Sequence, residues 1–435
     1  MLNMNTKLLK REAEGKPIRT GIVGAGQMGR GMVSQMVLMK GITPAIVSDI
    51  RAERVQEAFR YAGVKDNDIV FANSLEEANR YMEEGKYVAC ENAELVSAAN
   101  LVDCVVDCTG IPDVGAHVAT RTIENGKHIV MLNVETDVVI GPYLKKLAED
   151  HGVIYTGSAG DEPGAVMELY CFAKAMGMNV EVMGKGKNNK LDKDSNPDTV
   201  REEAVRRAMS PKMLCAFKDG TKTMVELAAM SNATGFIPDI IGGHGAVSDV
   251  AGLNDLFRLK ENGGILSRHG VVDFVEGVAP GVFVIVSSEN AEITYQMDYL
   301  LMGPGPLWTL FRPYHLCSLE TPLSVARCVI DGEHTIVPMG GLPGGLVSEC
   351  VTVAKKDLRA GEMLDGIGGF TAYGTVITKS ESDAKGYVPF GLISDGAKML
   401  KDVKKGQLLT LDMVEPDTGT LIYKLRQKQD TMDFC

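Results

Sequence analysis

One stretch leaves this chain less freedom than any other. Residues 17–39, "PIRTGIVGAGQMGRGMVSQMVLM", pass from an apolar strand through a glycine turn straight into a helix. Gly24, Gly26 and Gly29 stand in G-x-G-x-x-G spacing. The first glycine allows a tight turn, the second lets a pyrophosphate approach the backbone, and the third lets helix and strand pack closely. Free N–H groups at such a helix start hold a diphosphate, which places Gln27 and Met28 at the cofactor as well. A second strand, "PAIVSDI", ends in Asp49, twenty residues beyond Gly29, where a ribose-binding acid belongs. The βα rhythm continues through residues 101–137, with Thr109 and Gly110 at the carboxyl end of a strand. In an open parallel sheet that edge is where ligands sit. A chance glycine-rich loop explains none of this context. Asp49 suits the 2′-hydroxyl of NAD, whereas Arg51 can neutralise the 2′-phosphate of NADP or serve merely as a surface residue at a helix start.

The remaining 300 or so residues exceed one further ordinary domain. From "GSAGDEPGAVMELYCFAKAMGM" the pattern changes, and Asp161, Glu162 and Pro163 open an apolar helix. The segment "VEVMGKGKNNKLDKD" (180–194) then starts as a buried strand and ends in lysines and asparagines. Residues 184–222 hold ten Lys/Arg and six Asp/Glu, a local +4 in a chain of net charge −12. That balance suits a small anionic substrate and excludes general nucleic-acid affinity, which needs a basic surface. Lys185, Lys187, Asn188 and Asn189 follow directly from the strand. A lysine there is a point charge for an anion or a proton carrier, and asparagines orient hydroxyl or carbonyl oxygens. Lys190, Asp192 and Lys193 read as solvated loop. In "KDGTK", Thr221 and Lys222 begin a helix, so an anion could meet side chains and free N–H groups together. The alternative is that Asp219 caps that helix. His244, in "IGGHGAVSD", is either a proton carrier or a structural histidine. "VVDFVEGVAPGVFVIVSS" reads as two strands joined by a turn, and Arg312, Tyr314 and His315 either line a pocket or belong to aromatic packing. After the glycine-rich break "VPMGGLPGGLVSE", short strands and turns replace helices.

These readings give an α/β fold class with three parts: a Rossmann dinucleotide-binding domain (1–157), a central α+β catalytic domain (158–348) and a small β-rich domain (349–435). No stretch approaches the roughly 18 apolar residues of a membrane span. The charged N-terminus lacks a signal peptide's apolar centre, and nine scattered cysteines without a CxxC pair look reduced. A cytoplasmic location is expected.

The motifs "GIVGAGQMGRGM", "LNVETDVVIG", "GSAGDEPGAVMEL", "GKGKNN", "DGTKTMVELAAMSNATG", "RPYHLCSLETP" and "AKKDLRAGEMLDGIGGF" together resemble the homoserine dehydrogenase-like oxidoreductases with a C-terminal SAF (β-clip) domain. Within that group the chain is similar to the type II, reductoisomerase-like proteins. The resemblance implies an NADPH-dependent reductoisomerase converting 1-deoxy-D-xylulose 5-phosphate to 2-C-methyl-D-erythritol 4-phosphate. It further implies a divalent metal such as Mg or Mn, with ligands unassigned, and a homo-oligomer. Lys185 and Lys222 are then the candidate proton-transfer groups. Lys187, Asn188, Asn189, Asp219, Thr221 and His244 are the candidate contacts to a phosphorylated sugar. Two other readings stay open: a dehydrogenase of a small sugar acid, polyol or hydroxy acid, for which Asp49 and NAD fit, and a dinucleotide-sensing binding protein without turnover.

Overall fold

A computed structural model describes residues 3–339 and 345–434, so the glycine-rich break at 337–349 lies partly outside the described residues. The chain divides into two compact units. The first comprises Met1–Gly164, Leu316–Val337 and Thr420–Thr431; the second comprises Ala165–His315, Pro338–Gly419 and Met432–Cys435.

The first unit is built on seven strands: β1 (Ile18–Val23), β2 (Ile42–Ser48), β3 (Ile69–Phe71), β4 (Tyr87–Cys90), β5 (Cys104–Asp107), β6 (His128–Met131) and β7 (Tyr155–Gly157). Every pairing is parallel and the order is β3-β4-β2-β1-β5-β6-β7. Parallel strands buried on both faces need apolar runs, and "GIVG", "AIVS" and "CVVD" supply them. The order reverses between β1 and β5, which opens a crevice at their carboxyl ends. Helix α1 (Gln27–Leu38) packs Met32, Val33 and Met36 into the core, where Val325, Ala326 and Cys328 of the returning segment join them.

Two further helices, α2 (Pro112–Glu124) and α3 (Val134–Asp150), follow β5 and β6. Pro142 lies inside α3 and interrupts its hydrogen-bond ladder. The fully buried Gln429 splices the gap: its Oε1 accepts the Tyr143 N–H (3.0 Å) and its Nε2 donates to Val139 O (3.0 Å). Gln429 belongs to the last helix of the chain, Leu421–Asp430, whose Ile422 N–H is in turn accepted by Asp113 of α2 (2.9 Å).

The second unit holds a mixed sheet of β8 (Asn179–Gly186), β9 (Ala246–Val247), β10 (Val271–Glu276), β11 (Val282–Ser287) and β12 (Leu307–Arg312), ordered β12-β11-β8-β10-β9. The strands expected from "VVDFVEGVAPGVFVIVSS" are β10 and β11, but they do not pair. Both flank β8, β10 parallel and β11 antiparallel to it, so their short connection crosses the end of β8. A Cβ at Gly186 would lie 2.4 Å from Ala279 N, and one at Gly184 would strike the Phe283 ring.

The expected boundaries at 157 and 348 do not coincide with the units. The β-rich residues 349–419 belong to the second unit, while the last helix belongs to the first. Strands β13 (Ser348–Ala354) and β14 (Ala372–Thr378) pair antiparallel over their full length. They are fastened to the helix Thr221–Thr234 by a Gly374 N–H donated to Thr221 Oγ1 (3.0 Å). Just after β13, the buried Lys355 ammonium reaches Asp219 Oδ2 (2.8 Å), Ser195 O (2.9 Å) and Gly369 O (2.8 Å). A polar anchor this deeply buried and fully bonded ties the pieces into one body.

Candidate active site

The glycine triplet behaves as its spacing demands. Gly24 has φ +100°, and a Cβ at Gly29 would lie 1.9 Å from Gly24 O, so neither position accepts a side chain. Gly26 is different: it is exposed, caps α1, and a Cβ there would meet nothing within 4 Å. Its glycine is therefore not required by the fold, as expected where a ligand approaches the backbone. Gln27 is exposed, while Met28 packs partly against the core. Asp49 stands at the end of β2 and turns onto the glycine loop: Oδ2 accepts the Ala25 N–H (2.9 Å) and Oδ1 the Arg51 N–H (3.1 Å). Arg51 itself is exposed.

Across the crevice, Thr109 and Gly110 (φ +67°) lead away from β5. The Thr109 hydroxyl donates to Asp107 Oδ1 (2.8 Å) and lies 3.2 Å from Asn133 Nδ2 as acceptor, so its proton is already committed. Asp107 and Asn133 are both fully buried. Burial pushes the Asp107 carboxyl up to about 6, against hydrogen bonds from Thr109 and Asn133 that favour its ionised form. Nothing in the reading of the sequence singled these two out. The signals were a lone acid in the apolar strand "CVVD" and an Asn capping the next helix.

In the second unit, "GKGK" proves to be strand alternation. The glycines lie where Phe283 and the Val278–Ala279 turn crowd the strand, and the lysines alternate with them. Lys185 and Lys187 are 4% and 6% exposed, values rare for lysine without a purpose or a partner. Lys185 pairs with the buried Glu226 of the helix Thr221–Thr234. Lys187 donates to Phe217 O (2.8 Å), and burial, with the Lys185 charge beside it, pushes its ammonium down to about 8. Half-buried Lys222 precedes Glu226 by four residues and shares its helix face. Lys185 thus meets Glu226 directly, while Lys187 feels the charges of Glu226, Asp219 and Glu276. Sequence reading missed Glu226; its signal was a single acid inside the apolar run "MVELAAM".

Other candidates are placed differently. Asp219 and Thr221 are fully buried and structural. The N-cap of the helix Thr221–Thr234 is Gly220; Asp219, one residue ahead of it, accepts the Thr221 N–H (2.9 Å) and holds Lys355. That helix start therefore offers no open N–H at Thr221 to an anion. Asn188 is exposed, and Asn189 accepts from Arg207 (3.1 Å). Lys190, Asp192 and Lys193 are exposed, as expected of a loop. His244 keeps a hydrogen-bonded partner through Nε2, Asp239 Oδ2 at 2.8 Å, while its backbone N–H is accepted by the buried Asp273 (3.0 Å). A histidine oriented by a carboxylate retains the chemistry of a proton carrier.

Residues 160–321 match the family model described as "Oxidoreductase DRL, catalytic domain". No curated protein matches the chain. Among solved structures, the chain is similar to a probable dehydrogenase from Thermotoga maritima at 13% identity, covering 73% of this chain and 90% of that one (TM-score 0.43). It is also similar to myo-inositol 2-dehydrogenase from Lactobacillus plantarum at 11% identity, covering 73% and 91% (TM-score 0.40). A third is scyllo-inositol dehydrogenase from Lactobacillus casei with bound NAD(H) and scyllo-inositol, at 12% identity, covering 68% and 76% (TM-score 0.36). The central segment is thus similar to an oxidoreductase catalytic domain. Neither its description nor these structures' names mention a reductoisomerase or an SAF module. Among the described residues, no helix is long and apolar enough to cross a membrane.

Proposed function

We propose that the chain is a nicotinamide-dinucleotide-dependent oxidoreductase that interconverts C–OH and C=O on a small, anionic polyol or sugar derivative. The observation that carries the reading is the buried lysine group of the second unit. Lys185 and Lys187 lie two residues apart, both almost fully buried, and the charge of one lowers the pKa of the other, surroundings that suit an anionic ligand. The Rossmann crevice of the first unit supports the cofactor, and the matched oxidoreductase family model supports the reaction class. Hydride transfer is the cofactor's chemistry. The chain's own part is to bind the anion and to move the proton of the hydroxyl being oxidised. Lys187, with its lowered pKa, and the Lys185–Glu226 pair have the chemistry for that step.

Asp49 on the glycine loop favours NAD over NADP, because a 2′-phosphate would meet its charge. The dehydrogenase reading therefore stands ahead of the reductoisomerase one. For the divalent metal that the resemblance implies, oxygen donors are Asp161 and Glu162 in the first unit and Glu226 in the second, where Lys185 already neutralises it. A cation such as Mg is held by one or two carboxylates with waters completing its shell, so Asp161 and Glu162 of the first unit would be the residues to hold it, and it would supply Lewis-acid polarisation of a substrate oxygen.

The test is fluorescence titration with NADH and NADPH, followed by oxidation assays on polyols, sugar acids and sugar phosphates. Tight cofactor binding without turnover of any of them would overturn the enzymatic reading in favour of a sensing protein. With an active anionic substrate, KM should rise as pH passes upward through about 8, where Lys187 loses its charge. Lys187→Met should remove that rise while leaving KM for an uncharged analogue nearly unchanged.

A further inference from the structure

We infer that Asp107 and Asn133 are positioning residues for the dinucleotide: they clamp the turn 109–111 at the carboxyl end of β5, which the cofactor must cross. This rests on the Rossmann crevice of the first unit being the dinucleotide site, and it assigns the work of that edge to two buried side chains behind it.

The clamp is visible bond by bond. Asp107 Oδ1 accepts both the N–H (3.0 Å) and the hydroxyl (2.8 Å) of Thr109. Its Oδ2 accepts from Asn133 Nδ2 (2.9 Å). The same Nδ2 reaches Thr109 Oγ1 (3.2 Å) and Ile111 O (3.0 Å), so one amide touches both ends of the turn. Asn133 Oδ1 meanwhile accepts the Thr136 N–H (3.3 Å) and caps α3. A Cβ at Gly115 would lie 2.1 Å from Thr136 Oγ1, 2.5 Å from Asn133 Nδ2 and 2.8 Å from Asp107 Oδ2. Helix α2 is thus brought against the clamp with no room left over.

Because the Thr109 hydroxyl has its proton on Asp107, what this edge presents to a ligand is the backbone of residues 109–111 rather than that hydroxyl. A ligand crossing there depends on where Asp107 and Asn133 hold the chain. The carboxylate is needed in its ionised, acceptor-only form, since both of its oxygens receive protons from donors. The titratable groups acting on it or feeling its charge are Glu135 of α3, Tyr155 of β7 and the adjacent Cys108. Burial raises the Asp107 pKa, and the Glu135 charge adds to the rise, so the clamp should loosen as pH falls through about 6.

The experiment is dinucleotide titration of the full chain by fluorescence between about pH 5 and pH 9, with thermal melting at each pH. Wild-type affinity should be flat in the upper range and fall as pH drops through about 6. Asp107→Asn leaves one oxygen for donors that use two, and should bind about tenfold or more weakly at pH 8 with that fall abolished. Thr109→Ser, which keeps the hydroxyl, should retain the wild-type profile, and Thr109→Val should not. Wild-type affinity and profile in folded Asp107→Asn would overturn the inference while leaving the cofactor reading intact. If Asp107→Asn does not fold, Thr109→Val decides: unchanged binding in that variant overturns the clamp. Absence of binding to wild-type protein at every pH would overturn the cofactor reading and the inference with it.

Discussion

Single residues separate what the fold requires from what a ligand requires. Gly29→Ala places a methyl group 1.9 Å from Gly24 O and should cost about 1–3 kcal/mol or more of stability, read as a lowered Tm. Gly26→Ala meets nothing within 4 Å and has φ −67°, so its Tm should stay near wild type. Its dinucleotide affinity should nevertheless collapse, because the methyl occupies the path of the pyrophosphate. Equal behaviour of the two variants would show that the triplet is a turn and nothing more. Asp107 carries the converse lesson. Its folded pKa lies above that of an unfolded aspartate, so it contributes stability below about pH 4 that is lost as pH rises through about 6. At neutral pH the fold therefore holds this charge at a cost, which is common where a group serves a site.

At the scale of elements, sequence periodicity located strands and helices well and partners poorly. The helix opened by Asp161 begins at Glu162, whereas the strand expected to end ahead of Lys185 runs on through Gly186 and takes that lysine in. Which strands pair was hidden: β10 and β11 look like a hairpin, yet β8 lies between them. Pro142 is a similar case. Its place in an otherwise helical pattern suggests a break, and it is a glutamine 287 residues later, Gln429, that closes it. Gln429→Ala leaves the Tyr143 N–H without its acceptor and Val139 O with only the longer bond from Arg426 (3.4 Å), and should cost about 1–3 kcal/mol. Pro142→Ala restores an N–H to the ladder, so the double variant should lose less than the sum of the singles. A double-mutant cycle by urea unfolding measures the difference; strict additivity would show that Gln429 does not splice the helix.

At the scale of the molecule, the two units are each assembled from distant pieces of chain, and buried polar bonds fasten the pieces. Lys355→Met would leave the Asp219 carboxylate buried without its cation and should cost about 3–5 kcal/mol. Asp219→Leu together with Lys355→Met should recover much of that loss, since neither charge then remains. Unfolding curves for the three variants give the comparison, and limited proteolysis would show whether residues 349–419 are released first. A pair of equally mild single variants would mean that the β-rich piece is held by apolar packing alone.

The Rossmann crevice was legible along the chain, because glycine spacing, strand hydrophobicity and the acid after β2 are all local consequences of backbone geometry. The sequence also placed Lys185 and Lys187 at the end of a strand, because alternation is a property of the strand alone. It could not show that Asp219 and Thr221 turn inward or that Glu226 meets Lys185. Nor could it show that Asp107 and Asn133 share one turn. Those facts depend on which distant side chain fills each buried hydrogen-bonding position. A buried polar group takes whatever partner the packing brings to it, and that partner is chosen by long-range packing rather than by its neighbours in the chain.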